Sequence, residues 1–177
     1  MKPKHYILFL FLFTFYNFSF SQGISKIQLV GADAIEFDEN LGNGARRLIG
    51  NVRFKQDNIS MTCDSAYFYP RENNFDAYSK VHVQRDTSLD VYSSFMHYTG
   101  NNKVAQFRKN VILTDNDLVL KTNHMDYDLK DNSGKYFNYG IIIDSASTLE
   151  SQWGFYIPGK KQLFFKDSVR VKNEKYI

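Results

Sequence analysis

Ser79-Lys80-Val81-His82-Val83 recurs along the chain in altered spelling, and that recurrence decides the fold. It superposes on Gly50-Asn51-Val52-Arg53-Phe54, Lys109-Asn110-Val111-Ile112-Leu113, Tyr139-Gly140-Ile141-Ile142-Ile143 and Asp167-Ser168-Val169-Arg170-Val171. The central apolar residues lie 29, 30, 30 and 28 positions apart. A tyrosine follows the first four segments after 15–17 residues, as Tyr67, Tyr98, Tyr127 and Tyr156. Two landmarks held in register over four units mark a real internal repeat of ~29 residues.

Inside a unit, apolar and polar residues alternate. Val52 and Phe54, Val81 and Val83, Val111 and Leu113, and Ile141 and Ile143 are expected on one face. Arg53, His82 and Arg170 fall on the other, which Ile112 and Ile142 interrupt. A period of two is that of a strand with one covered face. Turns rich in Asp, Asn and Ser follow: Gln56-Asp57-Asn58, Arg85-Asp86-Thr87-Ser88, Thr114-Asp115-Asn116-Asp117 and Asp144-Ser145-Ala146-Ser147. Such side chains bond to nearby backbone and hold tight turns.

The chain then returns through Ile59-Ser60-Met61, Leu89-Asp90-Val91 or Leu118-Val119-Leu120. Further on, the apolar phase moves by one position, to Met96 and Tyr98 or to Met125 and Tyr127. A slip of one turns every later side chain to the other face. A β-bulge or corner absorbs it, so the pattern predicts about ten bent strands in two facing sheets. Segment 27–37 would be the first strand and 166–173 the last. A parallel β-helix with rungs of this length is the other arrangement open to a repeat, and strand direction between neighbouring units separates the two.

Residues 1–21 read as a cleavable signal peptide: Lys2 and Lys4, an apolar run from Tyr6 to Phe20, then Ser19-Phe20-Ser21-Gln22. Fifteen residues are short for a ~30 Å hydrocarbon core, although an uncleaved anchor would use the same segment. Residues 22–177 then form one domain carrying 20 basic and 19 acidic residues. That balance offers no basic face for nucleic acid. Cys63 is the only cysteine, so an exported fold has no internal disulfide and the thiol is expected to be buried and inert.

No catalytic set is legible and no cofactor is expected. His82, His97 and His124 occupy different places in the repeat and would not stack. Asp126, Asp128 and Asp131 lack the glycine and closing glutamate of a calcium loop, so no metal site is expected. They read as solvated turn acids, and Asp115 and Asp117 read the same way. No nucleophile-elbow motif is present.

The stretch Cys63-Asp64-Ser65-Ala66-Tyr67-Phe68-Tyr69, then Asn73-Asn74-Phe75-Asp76-Ala77-Tyr78 and Lys80-Val81-His82-Val83, resembles the repeat of the OstA-like family. Gly50-Asn51-Val52 and Lys109-Asn110-Val111 carry the Asn-Val pair of that repeat. Asn123-His124-Met125-Asp126-Tyr127 and Trp153-Gly154-Phe155-Tyr156 depart from its Asp-x-Ala-x-Tyr. The likeness spans nearly all of 27–171.

The resemblance implies an all-β, open, semi-closed jellyroll of bent antiparallel strands in the bacterial periplasm. It implies a non-enzymatic carrier or bridge that shields the acyl chains of lipopolysaccharide, or of another acylated lipid, on the way to the outer membrane. The interior slot would be lined by Val52, Phe54, Met61, Val81, Val83, Val91, Val111, Leu113, Leu120, Ile141 and Ile143. Copies, or other jellyroll components of the bridge, would pair head to tail through 27–37 and 166–173, since open strand edges recruit partners. From the alternation alone, a closed sandwich core fits as well as a slot. A structural or adhesive β-repeat protein without a lipid ligand is the alternative.

Overall fold

The computed structural model describes residues 25–37, 42, 44–86, 88–116, 118–144, 147–160 and 162–173. The expected leader, 1–21, lies outside them. Among these residues, twelve strands form one antiparallel sheet: β1 Gln28–Gly31, β2 Ala34–Phe37, β3 Arg46–Gln56, β4 Ile59–Tyr69, β5 Asn74–Arg85, β6 Leu89–Thr99, β7 Val104–Asp115, β8 Leu118–Asp128, β9 Ser133–Ile143, β10 Ser147–Ile157, β11 Gln162–Lys166 and β12 Arg170–Asn173. From β3 to β10 each strand pairs with its sequence neighbours, so the chain is a meander. Antiparallel pairing between successive strands excludes the β-helix, whose rungs run parallel.

Every long strand bends at its middle, which folds the sheet into two wings. The cause is local and recurs in each unit. Gly50–Asn51, Ser79–Lys80, Lys109–Asn110, Asn138–Tyr139 and Asp167–Ser168 are left-handed pairs, with φ between 47° and 84°. At each pair from β3 to β9 the odd-numbered strand carries one residue more than its partners, as between Arg108/Val111 and Tyr92/Phe95. This is a β-bulge, which bends the strand and strengthens its twist. Left-handed backbone costs roughly 1–2 kcal/mol for a residue with a Cβ, and Gly, Asn and Asp at five of the ten positions lessen that cost.

The even-numbered strands slip by one opposite these pairs, as the sequence predicts. Leu89, Val91 and Ser93 are buried, then Met96 and Tyr98. A small side chain with an Oγ or Sγ atom stands at each slip: Cys63, Ser93, Thr122 and Ser151. Ser93 Oγ donates to the Phe95 carbonyl at 3.0 Å, and Ser151 Oγ to the Trp153 carbonyl at 3.0 Å. Thr122 Oγ1 donates to the Tyr139 carbonyl at 2.7 Å. Each hydroxyl thus donates to a backbone carbonyl at the corner, tying the side chain to the bend.

The two edges are single bent strands split at the corner. β1 and β2 both pair with β3, and β11 and β12 both pair with β10. With β3–β10 they make the ten bent strands expected. The last strand runs over 162–173 rather than 166–173, because its first arm continues down the second wing as Gln162–Lys166. At the first edge, Asp33 N donates to the Gly50 carbonyl and Asn51 Nδ2 to Asp33 Oδ2, both at 2.8 Å. Those two bonds pin the break between β1 and β2 over the first left-handed pair.

Two alignments read from the sequence shift by one residue. In the fourth unit the left-handed pair is Asn138–Tyr139, so Gly140 and not Ile141 stands where Val52, Val81 and Val111 stand. Among the tyrosine landmarks, Phe68 and not Tyr67 holds the inward place of Tyr98, Tyr127 and Tyr156. Tyr67 lies on the outer surface, edge-on to Tyr78 at 6.1 Å.

Candidate functional site

The inner faces of the wings meet in a trough whose walls are rows of side chains running across the sheet. The first wing contributes Phe54, Met61, Val83, Val91, Leu113, Leu120 and Ile142, cross-strand neighbours in that order. Beside the corner stand Val52, Cys63, Val81, Ser93, Val111, Thr122, Gly140 and Ser151. The second wing answers with Leu48, Ala66, Ala77, Met96, Phe107, Met125 and Tyr136, then Phe68, Phe75, Tyr98, Ala105, Tyr127 and Tyr156.

Nine of the eleven residues expected inside are there: Val52, Phe54, Met61, Val81, Val83, Val91, Val111, Leu113 and Leu120, none more than 2% exposed. Ile141 and Ile143 are not. They face outward, Ile143 at 36% exposure, and Ile142 takes the inner place. The reason is steric. A Cβ on Gly140 would lie 2.5 Å from the Tyr136 ring, so the fourth unit places a glycine where its predecessors place valine. A run of three isoleucines carries no alternation, and only the ring opposite decides which one turns inward.

The expected lining of Val, Ile, Leu, Phe and Met alone also needs amending. Tyr98, Tyr127, Tyr136 and Tyr156 are buried in it, together with Gln56, Asn73, Ser93, Asp115 and Ser151. Burial holds the Tyr98, Tyr127 and Tyr156 phenols far above their ordinary range, so they remain protonated donors. Tyr98 donates to Gln56 Oε1 at 2.6 Å, Tyr127 to Asn132 Oδ1 at 2.6 Å and Tyr156 to Asp115 Oδ2 at 3.0 Å. Tyr136 and Ser151 share a short hydroxyl–hydroxyl bond.

Several of these bonds close the trough opposite the corner. Gln56, Arg85 and Asp115 end the odd strands of the first wing, 29 and 30 residues apart, and each reaches the second wing. Gln56 Nε2 donates to the Gly100 carbonyl at 2.8 Å, Arg85 Nη1 to the Leu129 carbonyl at 3.0 Å, and Asp115 accepts from Tyr156. Lys103 Nζ adds an ion pair to Asp57 Oδ2 at 2.6 Å. Asp115 is therefore a buried seam residue and not the solvated turn acid that its Asp-Asn neighbourhood suggests. Its spacing from Gln56 and Arg85 was the available signal. The wings also interlock directly, with Phe54 stacked on Phe75 at 4.1 Å between centroids. Along its middle the expected slot is filled by its own side chains.

The outer faces carry the remaining titratable residues. His82 Nε2 lies 2.7 Å from Asp90 and its ring stacks on Tyr92 at 4.3 Å, while His97 Nδ1 lies 2.6 Å from Asp76. Hydrogen bonding to Asp76 raises the His97 pKa above its ordinary value. Asp126 pairs with Arg108 at 2.9 Å, and Asp128 Oδ1 accepts the backbone N–H groups of Lys130 and Asp131 as a turn cap. Among the described residues no three metal-ligating side chains converge.

Comparison with known proteins bears on this architecture. A model of the OstA-like protein family matches residues 24–177. No curated protein matches the sequence. Among solved structures, the chain is similar to LptH, the LptA homologous periplasmic component of the conserved lipopolysaccharide transport device from Pseudomonas aeruginosa. That pair shares 12% identity over 84% of this chain and 94% of the other, with a TM-score of 0.40.

Proposed function

The chain belongs to the OstA-like family, and we propose that it is a periplasmic carrier or bridge component that shields the acyl chains of lipopolysaccharide between its wings. The observation that carries this reading is the continuous inner row from Phe54 to Leu120, apolar at every position, between wings that are continuous through the corner of each bent strand and bridged opposite it by side-chain bonds. A hydrocarbon tail gains about 0.8 kcal/mol for each CH₂ it buries. Here it would displace packed side chains, so the net gain along the middle is well below that figure. Opening would have to break the seam bonds of Gln56, Arg85 and Asp115, each of modest net strength, on the order of 1 kcal/mol.

In this reading residues 1–21 are a leader and 22–177 the exported jellyroll. The edges suit head-to-tail stacking. β1–β2 runs from the first wing to the second and β11–β12 from the second to the first. A second copy set edge to edge would therefore continue the antiparallel alternation. Phe37, at 74% exposure, and Val171, at 61%, stand on those open edges.

A photo-crosslinking residue at Val81 or Val111 tests the carrier reading in cells. Capture of lipopolysaccharide there, and not at outward-facing His82, is the expected result; capture at His82 alone would sink it. A second reading, a structural β-repeat without a lipid ligand, draws support from the interlocked middle of the trough. It requires no capture at any inner position.

A further inference from the structure

Because the trough runs across the sheet, each of its ends lies at an edge, and β2 forms part of the first. There Phe37 pairs with Arg46 and Ile35 with Leu48. On the next strand Arg46 pairs with Phe68 and Leu48 with Ala66. Residues directly opposite in a ladder share a face. Leu48, Ala66 and Phe68 are buried in the trough, so Ile35, Phe37 and Arg46 face the same way. Ile35 is 44% exposed and Phe37 74%, on a face that is core elsewhere. The trough thus ends in an apolar surface with a cation set in it.

Arg46, Arg85 and Arg108 are the half-buried arginines of the described residues. Arg85 has Asp86 at 3.7 Å and Arg108 has Asp126 at 2.9 Å. Among the described residues no carboxylate pairs with Arg46, and its Nε is buried without a hydrogen-bond partner. Its guanidinium lies 5.5 Å from the centroid of the Phe37 ring. The acid on β2 serves the outer face, where Glu36 pairs with Arg47 at 3.1 Å. A buried donor without a partner costs free energy, and each such group calls for an explanation. Arg71, in the turn after β4, brings a second guanidinium to this tip of the wing. Its Nε lies 3.9 Å from the place a Cβ on Gly44 would take, two residues before Arg46.

We propose that Arg46, with Arg71 beside it, receives the oxyanion head of a single-chain alkyl amphiphile, such as an alkyl phosphate, whose tail lies over Phe37 and Ile35. A guanidinium binds such a head through two parallel N–H donors and stays charged at any working pH. The tail covers ring and isoleucine surface that water otherwise wets, so head and tail are held by neighbouring side chains of one face. The inference rests on the acyl-binding reading and adds the charge of the head and the end of the trough that holds it.

The test titrates the full chain with dodecyl phosphate and with dodecyl maltoside, both below their micelle concentrations, at pH 7.5 and low salt. Dodecyl phosphate should bind at least tenfold more tightly. Arg46→Gln should remove that preference, whereas Arg47→Gln, which makes the same charge change on the outer face, should leave it intact. Phe37→Ser should weaken both amphiphiles while light scattering shows an unchanged mass. Equal binding of the two amphiphiles, or equal effects of the two arginine variants, overturns the head site and leaves the acyl-binding reading standing. Displacement of dodecyl phosphate by equimolar sodium phosphate assigns the arginines to a free oxyanion and overturns the alkyl ligand. A mass that falls with Phe37→Ser assigns the face to a second copy and overturns the site. Failure of both amphiphiles to bind overturns the site and the acyl-binding reading together.

Discussion

Gly140 shows how much one missing methyl group decides. Its neighbours in the repeat are valines, and the Tyr136 ring occupies the space their side chains fill. Gly140→Val should therefore overpack the corner and cost about 1–3 kcal/mol, read as a lower urea midpoint at unchanged m-value. Cys63 holds the slip position that Ser93, Thr122 and Ser151 hold elsewhere, and burial pushes its thiol up to about 12. The folded protein should resist maleimide at pH 8, with labelling complete only in denaturant.

His97 gives a pH dependence of defined sign. Its partner Asp76 raises its pKa, so the pair's contribution is complete below the unfolded value of about 6.5 and is lost as pH rises through the folded pKa. Asp76→Asn should lower the His97 midpoint in a proton NMR titration. It should also reduce stability at pH 5.5 more than at pH 8.

At the scale of the element, the bent strand is a device of three parts: a left-handed pair, a one-residue bulge and a small hydroxyl or thiol side chain opposite. Asn110 serves the first two, at φ 53°, and donates through Nδ2 to Ser94 Oγ at 3.1 Å. Asn110→Val places a β-branched residue in left-handed backbone and removes that bond. It should cost about 2 kcal/mol or more by urea denaturation, whereas Asn110→Gly should stay within about 1 kcal/mol of the parent. The strands themselves were legible from alternation. The corner hydroxyls and the Cys63 thiol were not legible in this way, although Cys63, Ser93, Thr122 and Ser151 recur 30, 29 and 29 residues apart, because small polar residues in strands usually face solvent.

For the whole molecule, function turns on whether the wings part. Lys103 and Asp57 sit across the seam at 2.6 Å. Cysteines at both positions in a Cys63→Ser background, joined by a short reducible linker, should block uptake of an alkyl probe. Reduction should restore it. Uptake that survives the linker would mean that chains are taken in without separation of the tips. Association should follow from the open edges as well: light scattering should show mass rising with concentration, and proline substitutions in β2 or β11 should suppress it.

The amino-acid order by itself determined the repeat length, the corner and nine of the eleven inner residues, because a two-residue period and turn chemistry are local properties, whereas pairing between units decided the strand directions. Tertiary structure alone decided that Ile142 and not Ile141 or Ile143 faces inward, since that choice lies with the volume of Tyr136. It alone turned Asp115 from a turn acid into a seam residue, through a partner 41 positions away. It also decided that the middle of the trough is filled, because packing across two wings depends on which side chains meet and not on their order along the chain.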